Sequence, residues 1–213
     1  MKMNVLLMAV GKLFTIAAGM YYFRKLPLAY RILLLQIVTG LLAEAYGYYI
    51  SRYLHKYNTW LFNLNTFFEF LLLSGTAALL VGEKNIRMVI YLLVAVVTVI
   101  WVRHVTRDLY GTFVSDSMVT GCVALVFQYG YLLYNNVLFE KGNLFRLPLF
   151  WLCIGNLLYF GGDIPLMGLY NSVNFRATPV ASTLSRINEI LDIIRYPLYG
   201  IGFLMFRYLA VNK

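Results

Sequence analysis

Apolar residues in this chain run in blocks about twenty positions long, broken by short polar stretches, with no sustained alternation. A helix that crosses a bilayer needs about 20 mostly apolar residues. Seven segments meet that pattern: Asn4–Phe23, Arg31–Ile50, Thr59–Val81, Arg87–Val105, Phe113–Val137, Leu147–Gly162 and Arg186–Phe206. Most linkers between them are short, which predicts antiparallel neighbours in a bundle. The fold class is therefore all-α: a polytopic integral membrane protein, a seven-transmembrane-helix bundle in one domain over residues 1–213. The exception among the linkers is Asp163–Ser185, with Pro165, Pro179 and a cluster of Asn, Ser and Thr. It reads as a long loop with an interfacial stretch at Ile164–Tyr170, and long loops are often functional.

Composition agrees with the pattern. Hydrophobic residues make up 61% and charged residues 13%, against about 45–50% and about 25% in soluble domains. A soluble globular enzyme, a disordered chain, a disulfide scaffold and a coiled coil are excluded. Cys122 and Cys153 fall inside apolar segments and read as small buried hydrophobes. The first segment has the outline of a signal peptide, with Lys2, an apolar run and Ala17-Ala18-Gly19, but Lys12 interrupts its apolar core.

The net charge of +9 does not point to nucleic acid, because most Lys and Arg lie in the linkers beside anionic headgroups. With seven spans, nine basic residues flank one side and seven the other. The bias favours an N-terminus outside and a cytoplasmic C-terminus, in the plasma (inner) membrane. Many of the 18 Tyr fall at predicted span ends, as an interfacial belt does.

The chemistry lies in ionisable residues within the spans: Lys12, Glu44, Glu69, Glu189, Asp192 and Arg195. Such groups cost several kcal/mol in hydrocarbon and should face the bundle interior with a partner. By helical rise, Lys12 and Glu69 fall near mid-depth, with Glu44, Asp192 and Arg195 in the outer half. Amides and glycines extend the polar faces: Asn65 precedes Glu69 by four, Gln36-Gly40-Glu44 step by four, and Asn156, Tyr159 and Asp163 share a face. Gln128, Tyr131 and Asn135 share another. Pairing of Lys12 with Glu44 or Glu69, and of Asp192 with Arg195 at i,i+3, is expected. Pro197 interrupts the last span just past the charged turn and should kink it.

Two readings follow. One is a polar network that fixes helix register. The other is an outward-facing polar cavity binding a small ligand, ion or lipid through Lys12, Glu44, Asn65, Glu69, Asn156, Glu189, Asp192 and Arg195. The second is favoured, because acids and amides outnumber what two ion pairs require. No metal motif, nucleophile elbow, Walker A loop or dinucleotide fingerprint occurs, so no cofactor and no catalytic residue is assigned. The last span lacks the lysine that holds retinal in microbial rhodopsins, and the Pro-Gln dipeptide of some seven-helix carriers is missing.

The stretches INEILDIIRYPLYGIGF (Ile187–Phe203) and NTWLFNLNTFFEFLLL (Asn58–Leu73) resemble those of small uncharacterised bacterial seven-span membrane proteins without an output domain. The resemblance implies no activity, and it marks Glu69 and the Glu189–Arg195 turn. The leading expectation is a receptor-like sensory or accessory module in the lipid bilayer, signalling through a partner protein, with a homo-oligomer left open. A proton- or ion-coupled transporter comes second. A membrane-embedded lipid-modifying enzyme using paired carboxylates such as Glu69 and Asp192 comes third.

Overall fold

The computed structural model describes residues 3–108, 115–138, 143–172 and 179–211. Among them are seven α-helices: α1 (Met3–Tyr21), α2 (Leu28–Tyr53), α3 (Thr59–Leu80), α4 (Lys84–Asp108), α5 (Ser115–Asn136), α6 (Pro148–Ser172) and α7 (Pro179–Val211). Single 3₁₀ turns at Phe23–Lys25 and Leu144–Arg146 lead into α2 and α6. The described part of the 113–137 segment begins at Ser115; Phe113 and Val114 lie outside the described residues.

Helices α2 to α6 are each long and apolar enough to cross a membrane. At about 1.5 Å per residue, the 22 residues of α3 span about 33 Å, matching a hydrocarbon core of about 30 Å. In α1 the apolar stretch is shorter, Leu6–Tyr21. Helix α7 is longer, at 33 residues, but carries the charged turn.

The ends have local causes. Pro148 and Pro179 open α6 and α7 at the position where a missing N–H costs nothing. Arg31 Nε donates to Leu26 O at 2.9 Å, and Arg87 Nη2 to Val81 O at 2.8 Å, so arginines in the first turns of α2 and α4 satisfy carbonyls of the preceding linkers. The chain turns between α2 and α3 through His55, in the left-handed region at φ 50°, and Asn58 Nδ2 donates back to Gly47 O at 3.1 Å.

The long loop expected at Asp163–Ser185 is corrected. Helix α6 continues through Pro165 to Ser172, and α7 starts at Pro179, so Ile164–Tyr170 is helical and only 173–178 lie outside the described residues. Proline in a helix removes one hydrogen bond, and Pro165 is exposed, where its ring meets little. Pro179 starts a helix and does not belong to a loop. Pro197 likewise lies within α7, which runs on to Val211.

Packing follows a ring. Helix α1 lies between α7 and α2, α2 against α3, α3 against α5, α5 against α6, and α6 against α7. Helix α4 rests on α3 and α5 from outside. Only 11% of its most apolar stretch is buried, against 39–44% in the other four apolar helices. Leu33, Ile37, Leu73, Leu125, Tyr129, Leu152 and Phe203 fill the interior. The α1–α7 contact is close because Gly11 and Gly200 face it: a Cβ on Gly200 would stand 2.4 Å from Phe14 Cε1. Thr15 Oγ1 lies 2.5 Å from Tyr196 O and 2.9 Å from Gly11 O across the same seam.

Polarity is reversed relative to a soluble domain. Lys12, Gln36, Asn156, Asp163 and Arg195 are buried, whereas Leu13, Leu42, Phe68, Val99, Phe127 and Leu158 are exposed.

Candidate functional site

The buried polar residues converge in one half of the ring. Lys12 sits midway along α1 and Glu44 nine residues before the end of α2. Asn65 and Glu69 are the seventh and eleventh residues of α3, and Asp192 is the fourteenth of α7, just before its middle. Antiparallel connections place all of these on the side where α1, α3, α5 and α7 begin.

There they enclose a cavity of about 230 Å³. Helices α1 and α2 contribute Lys12, Gln36, Gly40 and Glu44, and α3 contributes Phe62, Asn65, Thr66 and Glu69. Helix α7 adds Asn188, Asp192 and Tyr196, while Met118, Tyr159 and Met167 close the wall from α5 and α6. The stripe Gln36-Gly40-Glu44 therefore lines the chamber at every step. The Glu44 side chain is 33% exposed, so the chamber is not sealed. A volume of 230 Å³ holds roughly seven waters, or a ligand of that size.

Two ion pairs cross the walls. Lys12, 1% exposed, pairs with Glu44 and lies over the Tyr196 ring, with Nζ 4.5 Å from the centroid. Arg195, also 1% exposed, places Nη1 2.7 Å from Glu69 Oε1. That approach is a charge contact off the N–H axis, because neither Nη1 nor Nη2 has an aligned hydrogen-bond acceptor. The expected Asp192–Arg195 pair is corrected here: the arginine turns to α3 instead. Its guanidinium lies over the rings of Tyr159 and Phe160 of α6, 4.3 and 4.7 Å from its carbon, and its Nε donates to Tyr199 OH on α7 at 2.7 Å.

Tyr199 OH in turn donates to Asn156 Oδ1 at 2.6 Å, and Asn156 Nδ2 bonds Leu152 O at 2.9 Å. Gln36 Nε2 donates to Glu69 Oε1 at 3.0 Å. Glu69 is thus the meeting point of α2, α3 and α7.

Of the residues singled out from sequence, Lys12, Glu44, Asn65, Glu69 and Asp192 line the chamber. Arg195 and Asn156 stand behind it as its support. Glu189 does not line it; its Oε2 accepts from Asn4 Nδ2 at 2.9 Å and ties α7 to the start of α1. Asp163, on the Asn156 face of α6, has Cys122 Sγ 3.7 Å from Oδ2. Gln128 is buried as its stripe required, but Asn135 is exposed, and the neighbouring Asn136 bonds Leu80 O at 3.2 Å.

The sequence reading missed Tyr196, Tyr199 and Asn188. All three carried a signal: Asn188 and Tyr196 stand four residues either side of Asp192, and Tyr199 four beyond Arg195.

A smaller void of about 30 Å³ lies between α3, α4 and α5 beneath Glu69, bounded by Phe67, Trp101, Ser117 and Cys122. It has room for one water. Among the described residues no group of three or more His, Cys, Asp or Glu is placed to hold a metal ion.

The architecture defines a helical bundle with an apolar exterior and a half-open polar chamber. Compared with protein-family models, curated proteins and solved structures, the chain finds no match.

Proposed function

We propose that the protein is a multi-pass membrane protein whose seven helices all span the bilayer and whose chamber binds a small polar ligand as a sensory or accessory module. The apolar exterior supports insertion: the exposed Leu, Val and Phe side chains of the ring and of α4 would otherwise meet water. The observation that carries the ligand reading is that the chamber is open at Glu44 and lined by polar atoms still lacking partners. Gln36 Oε1, Asn188 Oδ1 and Asp192 Oδ1 make no hydrogen bond. Unsatisfied polar atoms also occur away from the chamber, at Ser74, Gln128 and Asp163, but these three are gathered on one open cavity, where each costs about 1–3 kcal/mol without a partner.

Ligand occupancy would bias α7, which carries the chamber wall, the Arg195 crosslink and Pro197. A partner protein in the membrane would read that bias, the partner being part of the proposal. We place the chamber mouth on the outer face, with the C-terminus cytoplasmic.

Cysteine accessibility tests this directly. Cys122 and Cys153 are buried, so background labelling is low. An Asn65→Cys variant in right-side-out vesicles should react with an impermeant methanethiosulfonate reagent added outside. Failure to react from either side would mean a closed interior and would remove the ligand reading. Reaction from the inside only would reverse the orientation.

A coupled carrier is the second reading. Asp192 lies within electrostatic reach of both Lys12 and Arg195, so either base could exchange partners. Proteoliposome flux that vanishes in Asp192→Asn and Glu69→Gln would favour it over a sensor.

A further inference from the structure

The chamber's unpaired atoms define the chemistry of what would fill it, an inference that rests on the ligand reading above. Charges lining or touching the chamber are three carboxylates, Glu44, Glu69 and Asp192, and two bases, Lys12 and Arg195. Both bases are committed, Lys12 to Glu44 and Arg195 to Glu69. One acid, Asp192, is left without an ion-pair partner among the described residues, and its Oδ1 makes no hydrogen bond. Two amide oxygens on the same chamber are in the same condition. Gln36 Oε1 is one, on a side chain only 2% exposed, and Asn188 Oδ1, one helical turn from Asp192, is the other.

All three of these atoms are acceptors. The chamber therefore lacks hydrogen-bond donors and one positive charge. The ring of Phe62 also lines the wall, beside those of Tyr159 and Tyr196, which already face Arg195 and Lys12. An anionic ligand would meet the unpaired acid, and Lys12, the base on the lining itself, is engaged with Glu44; the Arg195 Nη atoms that lack acceptors stand behind the wall.

We propose that the chamber binds a small molecule bearing a primary ammonium group, with Asp192 as its counter-ion and Gln36 and Asn188 as its remaining acceptors. An ammonium group carries three N–H donors and no acceptor, the complement of what the walls leave open. The volume limits the rest of the molecule to a short, compact body. A second cationic end would face Lys12, so a monoamine fits better than a diamine.

The test uses the full chain in lipid nanodiscs, with empty nanodiscs as the control, and isothermal titration calorimetry as the readout. The probes are n-butylammonium, tetramethylammonium, 1-butanol and butyrate. Butylammonium should bind at least tenfold more tightly than the other three, since tetramethylammonium has charge without donors and butanol a donor without charge. Asp192→Asn should weaken butylammonium binding at least tenfold, as expected for losing a charge-assisted contact. If that variant does not fold, Asn188→Ala, at a half-buried position, should weaken it about threefold or more.

Butyrate binding as tightly as butylammonium would overturn the proposal, as would butylammonium affinity unchanged in both variants. Tetramethylammonium binding equally well would also overturn it, because ring faces alone would then suffice. If Asn65→Cys is labelled in vesicles yet butylammonium does not bind, the open chamber stands and the ammonium assignment falls. If Asn65→Cys is not labelled from either side, the chamber reading itself fails and takes this one with it.

Discussion

Neutralising Glu69 isolates the interaction that holds the chamber's back wall. In Glu69→Gln the side chain keeps its shape and its contact with Gln36, but Arg195 loses the only carboxylate within ion-pair distance among the described residues. The gross attraction of unit charges 2.7 Å apart is about 6 kcal/mol at an effective dielectric constant of 20. Part of this offsets the desolvation of a carboxylate that is 15% exposed. What remains to the guanidinium is one hydrogen bond, from Nε to Tyr199 OH, and four ring faces at 4.3–5.6 Å. Ring contacts are each worth about 0.5–1 kcal/mol and do not replace the lost charge. Breaking a buried pair from one side costs about 3–5 kcal/mol; the partial exposure of Glu69 to the open chamber places this case near 3, roughly a hundredfold in the folding equilibrium. Unfolding by SDS in lipid bicelles, followed through Trp60, Trp101 and Trp151, would measure it. Arg195→Met should cost less, because Glu69 keeps Gln36 and is partly exposed to the chamber. The double variant should regain at least about 1 kcal/mol relative to the sum of the two singles. A loss below about 1 kcal/mol for Glu69→Gln, or strictly additive losses, would refute the crosslink as a source of stability.

The other expectations use the same unfolding assay unless stated. Removing Lys12 leaves Glu44, whose side chain is 33% exposed and can take up water, whereas removing the charge of Glu44 leaves a buried ammonium with the Tyr196 ring and no ion pair unless it moves to Asp192; Glu44→Gln should therefore destabilise more than Lys12→Met. Tyr199→Phe deletes the hydroxyl between Arg195 Nε and Asn156 Oδ1 and should cost about 1–3 kcal/mol. Gly155→Ala would bring a Cβ to 3.0 Å from Tyr199 Cε1, a ring pinned by those same bonds, for a loss of about 1–3 kcal/mol. Cys122 and Cys153 should resist maleimide in the folded protein and react once SDS has unfolded it, as mass spectrometry would show.

Several of these positions were readable from the sequence, because period and polarity sufficed. Gln36, Gly40 and Glu44 share a helical face by four-residue spacing alone, and that face is the one turned inward. Lys12 is the one cation in an apolar helix and has to find an acid. Partner choice was not readable. Spacing along α7 shows only that Asp192 and Arg195 are within reach of each other, whereas the arginine's direction depends on Tyr159 and Phe160 of a different helix. The same holds for Tyr196 and Tyr199: in a chain with 18 tyrosines, those that line or brace a chamber look like those of an interfacial belt until the helices are packed. The start of α7 misled for a local reason. Proline and small polar residues mark loops in the middle of a pattern but also start helices, and Pro179 does the second.

The two ion pairs differ in what they join, and that difference ties register to the chamber. Lys12–Glu44 links α1 and α2, which are packed neighbours. Arg195–Glu69 links α3 and α7, which are not packed neighbours, and therefore crosses the interior of the ring. Apolar packing discriminates weakly between helix registers when the surroundings are also apolar, so a cross-ring contact of this kind carries much of the specification. It crosses beside the chamber wall that Asp192 and Asn188 of α7 share with Gln36 of α2. Apolar replacement separates the two roles. Asp192→Leu with Asn188→Leu removes two unpaired acceptors and leaves both ion pairs in place. If the polar cluster serves register alone, this double variant should be at least as stable as the natural chain, since two desolvation penalties of about 1–3 kcal/mol disappear. If the acceptors are retained for a ligand, the same variant should gain that stability and lose all ammonium binding. A variant that loses stability instead would mean that ordered water already satisfies those acceptors, and the chamber would then be a hydrated part of the scaffold.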